Sequence, residues 1–136
     1  MRTGLETQED SRLKQAVPEP PRPGLVFIFS GGAPLFRPVP LAGGRLVLGR
    51  EDAGGQPLPD ERLSRQHAEV GREGSGWHVE DLGSRNGTYV DGEQVVGRRA
   101  FSTPRVLRLG NTLALFHDDV RQLAGADVHV GPDAVR

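Results

Sequence analysis

The sequence predicts an all-β protein, an antiparallel sandwich of nine or ten short strands. Three observations predict it. Short strand-like apolar runs recur at the spacing of a sandwich. Turn formers separate them, with 19 glycines and 11 prolines among 136 residues, which favours many turns over long helices. No segment reads as a convincing helix, and no internal repeat interrupts the pattern.

The chain opens on a polar leader. Residues 1–23 read as disordered: Met1 to Val17 is polar and charged, and Pro18-Glu19-Pro20-Pro21-Arg22-Pro23 blocks both helix and ladder pairing. Asp10 to Ala16 is too short for a helix that stands alone. Leu25 to Phe29 is a continuous apolar run between Pro23-Gly24 and Ser30-Gly31-Gly32, so the first strand is expected to be buried on both faces. Leu35 to Leu41 forms a second strand that Pro38 and Pro40 confine to an edge. Arg45 to Leu48 is a third, ending in Gly49-Arg50, and Leu58 a short one before Pro59-Asp60. His67 to Val70 alternates like a strand and Gly71 to Gly76 reads as a hairpin turn.

Trp77 to Glu80 follows, with Trp77 and Val79 on one face and His78 solvated on the other. Thr88 to Val90 is joined to Gln94-Val95-Val96 by Asp91-Gly92, the strongest hairpin signal in the chain. Val106 to Leu109, a Gly110-Asn111 turn and Leu113 to Phe116 complete the strands, with Val120 and Leu123 extending the packing. Residues 124–136 read as a flexible tail or linker.

Composition excludes several classes of function. A net charge of −1 gives no global argument for binding nucleic acid or an anionic membrane. The absence of cysteine removes disulfides, thiol catalysis and Cys-ligated zinc. The four histidines, His67, His78, His117 and His129, have no metal-like spacing, and no cofactor is expected. Met1 to Glu6 lacks the apolar core of a signal peptide, and no run approaches the roughly 20 apolar residues of a membrane span. The expectation is a soluble, cytoplasmic protein. Lys14 is the sole lysine among 17 basic residues, a bias that suits a GC-rich bacterial genome and also supplies forks that bind phosphate bidentately.

Three islands carry the chemistry: Leu48-Gly49-Arg50, Leu63-Ser64-Arg65-Gln66-His67-Ala68, and Asp81-Leu82-Gly83-Ser84-Arg85-Asn86-Gly87-Thr88. Each lies at a strand-to-loop junction, and loops at one end of a sandwich lie together however far apart in sequence. If strand polarity brings them to the same end, guanidinium, hydroxyl, amide and backbone N–H groups form a concave anion site. A phosphate carrying about −1.5 to −2 charge fits that inventory.

Gly49-Arg50, Ser64-x-x-His67 and Asp81-Leu82-Gly83-Ser84-x-Asn86-Gly87-Thr88-x-x-x-Gly92 resemble, in order and spacing, the signature of the forkhead-associated (FHA) domain. The resemblance covers residues 24–123. It implies a sandwich of about eleven strands whose apical loops bind phosphothreonine peptides. Carried over residue by residue, it implies that Arg50, Ser64 and Arg65 contact the phosphate. Asn86 hydrogen-bonds the peptide backbone and Arg85 faces the peptide. Gly49, His67 and Gly87 support the site. Arg62 and the Glu51–Gln56 loop flank it and are candidates to shape side-chain preference.

The resemblance further implies a binding module that recruits proteins phosphorylated by a Ser/Thr kinase. It would be the regulatory part of a larger bacterial protein such as a transcriptional regulator, with no direct contact to nucleic acid or membrane. A module of this kind does no chemistry. Two alternatives stand beside it: a structural or dimerising module without phosphate binding, and a hydrolase using Ser64, His67 and Asp81. No glycine-framed nucleophile elbow surrounds Ser64, which argues against the second. Thr7, in the acidic patch Glu6-Thr7-Gln8-Glu9-Asp10, is a candidate for phosphorylation and binding in cis or in trans.

Overall fold

The computed structural model describes residues 19–123. Thr7, most of the leader and the expected tail lie outside them. The described chain forms ten strands, one fewer than the resemblance implies: β1 (Gly24–Ser30), β2 (Ala33–Pro40), β3 (Arg45–Leu48), β4 (Ala68–Glu73), β5 (Gly76–Asp81), β6 (Thr88–Val90), β7 (Glu93–Gln94), β8 (Arg98–Phe101), β9 (Val106–Leu109) and β10 (Thr112–His117). A 3₁₀ turn, Val120–Leu123, follows. Two antiparallel sheets result, one ordered β2-β1-β10-β9-β6-β7 and the other β3-β4-β5-β8.

Alternation explains the layering. Leu25, Phe27 and Val39 of the first sheet and Leu48, Val70 and Val79 of the second are buried together with Leu107, Leu109 and Val90. Trp77 meets Phe116 edge to face, with ring centroids 5.1 Å apart. The proline-bearing β2 occupies an edge, as the sequence predicts.

Several local readings change. The apolar run of β1 is buried on both faces only from Leu25 to Phe27; a bulge between Phe27 and Phe29 leaves Ile28 36% exposed. Leu58 joins no strand, and its burial in a loop satisfies the apolar signal that suggested one. The turn expected over Gly71–Gly76 shrinks to Gly74-Ser75, because β4 runs on to Glu73. Edge strand β8 has no counterpart in the sequence pattern, because Arg98-Arg99-Ala100-Phe101 shows no apolar alternation. The strand after Asp91-Gly92 is shorter than expected, covering Glu93–Gln94.

His78 is not solvated but 6% exposed. Its partner across the β4–β5 ladder is Gly71, where a Cβ would lie 2.2 Å from the His78 ring. The ring fills the space that a side chain would occupy.

Register places the site. Leu48 pairs with Ala68, and Ala68 with Asp81. Thr88 pairs with Leu109, Leu109 with Thr112, and Thr112 with Ser30. The loops after β3, before β4, after β5 and before β6 therefore share one end of the sandwich. The other end carries Gly24 beside Pro40 and His117. There Asp119 accepts from the Arg22 amide, and the Val120 amide donates to the Arg22 carbonyl, so the segment before β1 is joined to the turn after β10.

Candidate functional site

The three islands converge. Arg50, Ser64, Arg65, Arg85 and Asn86 line one open cleft of about 660 Å³, together with Glu61, Arg62 and Leu63. Four arginines face a single acid. Among the described residues the guanidinium groups of Arg50, Arg65 and Arg85 have no hydrogen-bond partner, so their donors are open to an anion.

Backbone contacts set the first island on the second. The Arg50 amide donates to the Ser64 carbonyl at 3.0 Å, and the Leu58 amide to the Arg50 carbonyl at 2.9 Å. Gly49 is required by close approach: a Cβ there would come within 1.5 Å of the Arg65 carbonyl oxygen. The absence of a side chain lets the two loops touch and holds Arg50 beside Ser64.

His67 bridges the second and third islands from beneath. It is fully buried. Its Nδ1 accepts the Ser64 amide at 3.0 Å, and its Nε2 pairs with the Gly87 carbonyl at 2.8 Å. The two partners assign the tautomer, since a carbonyl requires a proton on Nε2 and an amide requires a bare Nδ1. The Leu82 amide closes the same joint by donating to the His67 carbonyl.

The third island is wound around Asp81. Its carboxyl accepts the Gly83 and Ser84 amides, the Ser84 hydroxyl and the Thr88 hydroxyl. Burial pushes this carboxyl up, but the hydrogen bonds from Ser84, Thr88 and the two amides outweigh it and hold it below its ordinary value. Ser84 Oγ in turn accepts the Gly87 amide. This scaffold of Asp81 and Ser84 is absent from the site residues picked by sequence. Its signal was an Asp followed two and three residues later by Gly and Ser, the pattern of an Asx turn.

Ser64 Oγ accepts the Arg85 amide at 3.0 Å, which leaves its hydroxyl proton available to the cleft. Asn86 is more constrained than the sequence suggests. Its Nδ2 donates to the Arg62 carbonyl at 2.8 Å, and its Oδ1 accepts from Arg62 Nη2 at 3.1 Å. One amide proton and one lone pair remain.

The hydrolase geometry is absent. His67 meets the Ser64 amide and not its hydroxyl, and Asp81 is consumed by its own loop and does not orient His67. Among the described residues no cluster of His, Asp and Glu could hold a metal ion.

The sequence model of the FHA domain matches residues 46–115, just over half of the chain. The chain belongs to the FHA family. The match spans all three islands. FhaB, an FHA domain-containing protein of Mycobacterium tuberculosis, is 42% identical over 69 residues, covering 49% of this chain and 43% of that protein. The chain thus spans less than half the length of the curated relatives it matches.

Among solved structures, the FHA domain of the CT664 protein from Chlamydia trachomatis is 29% identical. Its TM-score is 0.58, over 71% of this chain and 97% of that one. Another is described as a structural and functional analysis of phosphothreonine-dependent FHA domain interactions. It is 26% identical at a TM-score of 0.52, covering 69% of this chain and 95% of that one. FHA domains are interaction modules, and no helix of the described residues is long and apolar enough to cross a membrane.

Proposed function

We propose that this FHA domain reads phosphothreonine in partner proteins and so recruits the products of a Ser/Thr kinase. One observation carries the reading: four arginines and a serine hydroxyl, drawn from three separated stretches of sequence, line a single cleft against one acid. Its similarity to a domain characterised for phosphothreonine-dependent interactions supports it. Arg50 and Arg65 supply charge-assisted hydrogen bonds to the phosphate, and Ser64 donates its hydroxyl. Arg85 and the free half of the Asn86 amide face the peptide backbone. Gly49, His67 and Gly87 keep those groups in register, and Arg62 with the Glu51–Gln56 loop contributes to peptide preference.

In this reading the module works in the cytoplasm, without cofactor, nucleic acid or membrane. It serves a longer regulatory protein, of which a transcriptional regulator is one form. Phosphorylated Thr7 is a candidate occupant of the cleft, in cis or from a second molecule. Thr7 lies 12 positions before Glu19, the first described residue, and an extended chain covers about 3.3 Å per residue. That reach exceeds the about 20 Å length of the seven-residue β1, whose end away from the cleft, Gly24, lies five positions after Glu19.

The test is titration with a phosphothreonine peptide library beside unphosphorylated controls. Phosphate-dependent binding that Arg50→Ala abolishes, with the fold intact, is the expected outcome. Binding no tighter than the controls would leave a structural or dimerising module. A phospho-Thr7 peptide that shifts no cleft resonance would remove Thr7 as a ligand.

A further inference from the structure

The cleft rests on a buried carboxyl that the signature does not include. Asp60 is 2% exposed and lies in the connection between β3 and β4. Its Oδ2 accepts the Asn111 amide at 2.9 Å and the Thr112 hydroxyl at 2.6 Å, both at the β9–β10 turn of the other sheet. Because Thr112 gives its proton to Asp60, its oxygen is left to accept from Ser30 Oγ, 2.9 Å away at the end of β1. The second carboxyl oxygen faces the cleft side: Oδ1 accepts the Arg62 amide at 2.9 Å.

Arg62 is also packed from below. A Cβ on Gly110 would lie 3.0 Å from its carbonyl oxygen, so the β9–β10 turn supports the same peptide unit. That carbonyl and the Arg62 guanidinium together bind both ends of the Asn86 amide. A flipped Asn86 would set donor against donor and acceptor against acceptor, so Arg62 decides which way the amide points.

We propose that Asp60 is a positioning residue of the cleft: it fixes Arg62 to the six-stranded sheet, and through Arg62 it sets the orientation of Asn86. The consequence for ligand affinity rests on the phosphopeptide reading above. The consequence for Asn86 does not, since it belongs to the free protein.

Asp60→Asn separates the two sides of the carboxyl. The substituted amide has one acceptor oxygen. That oxygen satisfies two donors when turned to Asn111 and Thr112, and one when turned to Arg62. The amide therefore keeps its sheet contacts and presents its NH₂ to the Arg62 amide, which loses its partner. Ser30→Ala is the control, because it weakens the same buried network without touching Asp60 or Arg62.

The first measurement is the Asn86 side-chain amide pair in a ¹⁵N–¹H correlation spectrum of the unliganded protein. Asp60→Asn is expected to shift or broaden it, and Ser30→Ala to leave it in place while lowering the Tm. The second is phosphothreonine-peptide affinity, expected to weaken about tenfold in Asp60→Asn, the effect of one lost hydrogen bond, and less than twofold in Ser30→Ala. Asn86 resonances that stay put in Asp60→Asn, or that move equally in Ser30→Ala, overturn the proposal. A wild-type protein that binds no phosphopeptide while its Asn86 amide still responds to Asp60→Asn would instead overturn the functional reading and uphold the positioning role.

Discussion

His67 shows how one side chain sets two loops of the cleft without lining it. It is fully buried and joins the Ser64 amide to the Gly87 carbonyl, so the loop before β4 and the loop before β6 share one brace. His67→Ala leaves a cavity, and it leaves the buried Gly87 carbonyl and the part-buried Ser64 amide without partners. We expect a loss of about 2–4 kcal/mol in unfolding free energy together with weakened phosphopeptide binding. Arg50→Ala is the opposite case: its side chain has no partner among the described residues, so thermal unfolding should change little while binding is lost. A calorimetric melt and a peptide titration on both variants separate the roles. Equal Tm losses would contradict the division between reader and brace.

Asp81 adds a pH dependence at the same scale. Its folded carboxyl lies below the usual 3.8 despite burial, because four hydrogen bonds favour the charged form. A depressed carboxyl contributes stability that is fully present above the unfolded value and is lost as pH falls through the folded one. The Tm should therefore decline on acidification below about pH 4, and Asp81→Asn should flatten that part of the profile. An unchanged acid limb in Asp81→Asn would show that other carboxylates set it.

At the scale of elements, the β4–β5 hairpin depends on a missing side chain. The His78 ring lies across Gly71, which leaves no room for a methyl group between the strands. Gly71→Ala should destabilise the domain by about 1–3 kcal/mol through overpacking. Gly71 lies near the end of the hairpin away from the cleft, so peptide affinity in the folded fraction should hold. Denaturant unfolding tests the first statement and titration the second. The hairpin also marks where sequence patterning stops being informative. Trp77 and Val79 alternate as a half-buried strand should, yet the polar position between them is buried too, because the cross-strand glycine makes space that no local pattern reveals. Strand β8 escaped for a related reason. It is an edge with two arginines, and its strand identity comes from pairing with β5 rather than from its own residues.

At the scale of the molecule, the two ends of the sandwich do different work. The cleft occupies one. At the other, Asp119 accepts the Arg22 amide, the Arg121 amide and two Arg121 guanidinium N–H groups, and Val120 returns a hydrogen bond to Arg22. This clasp joins the segment entering β1 to the segment leaving β10. Asp119→Ala should raise amide exchange at Arg22 and Val120 and lower the Tm, while phosphopeptide affinity stays unchanged because the cleft is a strand length away. A fall in affinity would mean that the ends are coupled.

The β class, most of the strands and the short motifs that mark the FHA family are legible in the residues alone, because period-two alternation, turn residues and close-approach glycines are local signals. The sequence also places Arg50, Ser64, Arg65, Arg85 and Asn86 at loop junctions. That these junctions share one end follows from the folded arrangement, since strand register across two sheets is a long-range property. The same holds for the partners beneath the site. Nothing near Asp60 in the chain announces Thr112 and Ser30, and nothing near Asn86 announces Arg62. The bonds of Asp60, Thr112 and Ser30 exist because folding buries these groups together, and each buried donor and acceptor must find a partner in the protein; the exposed Arg62–Asn86 pair exists because the same fold sets their two loops side by side.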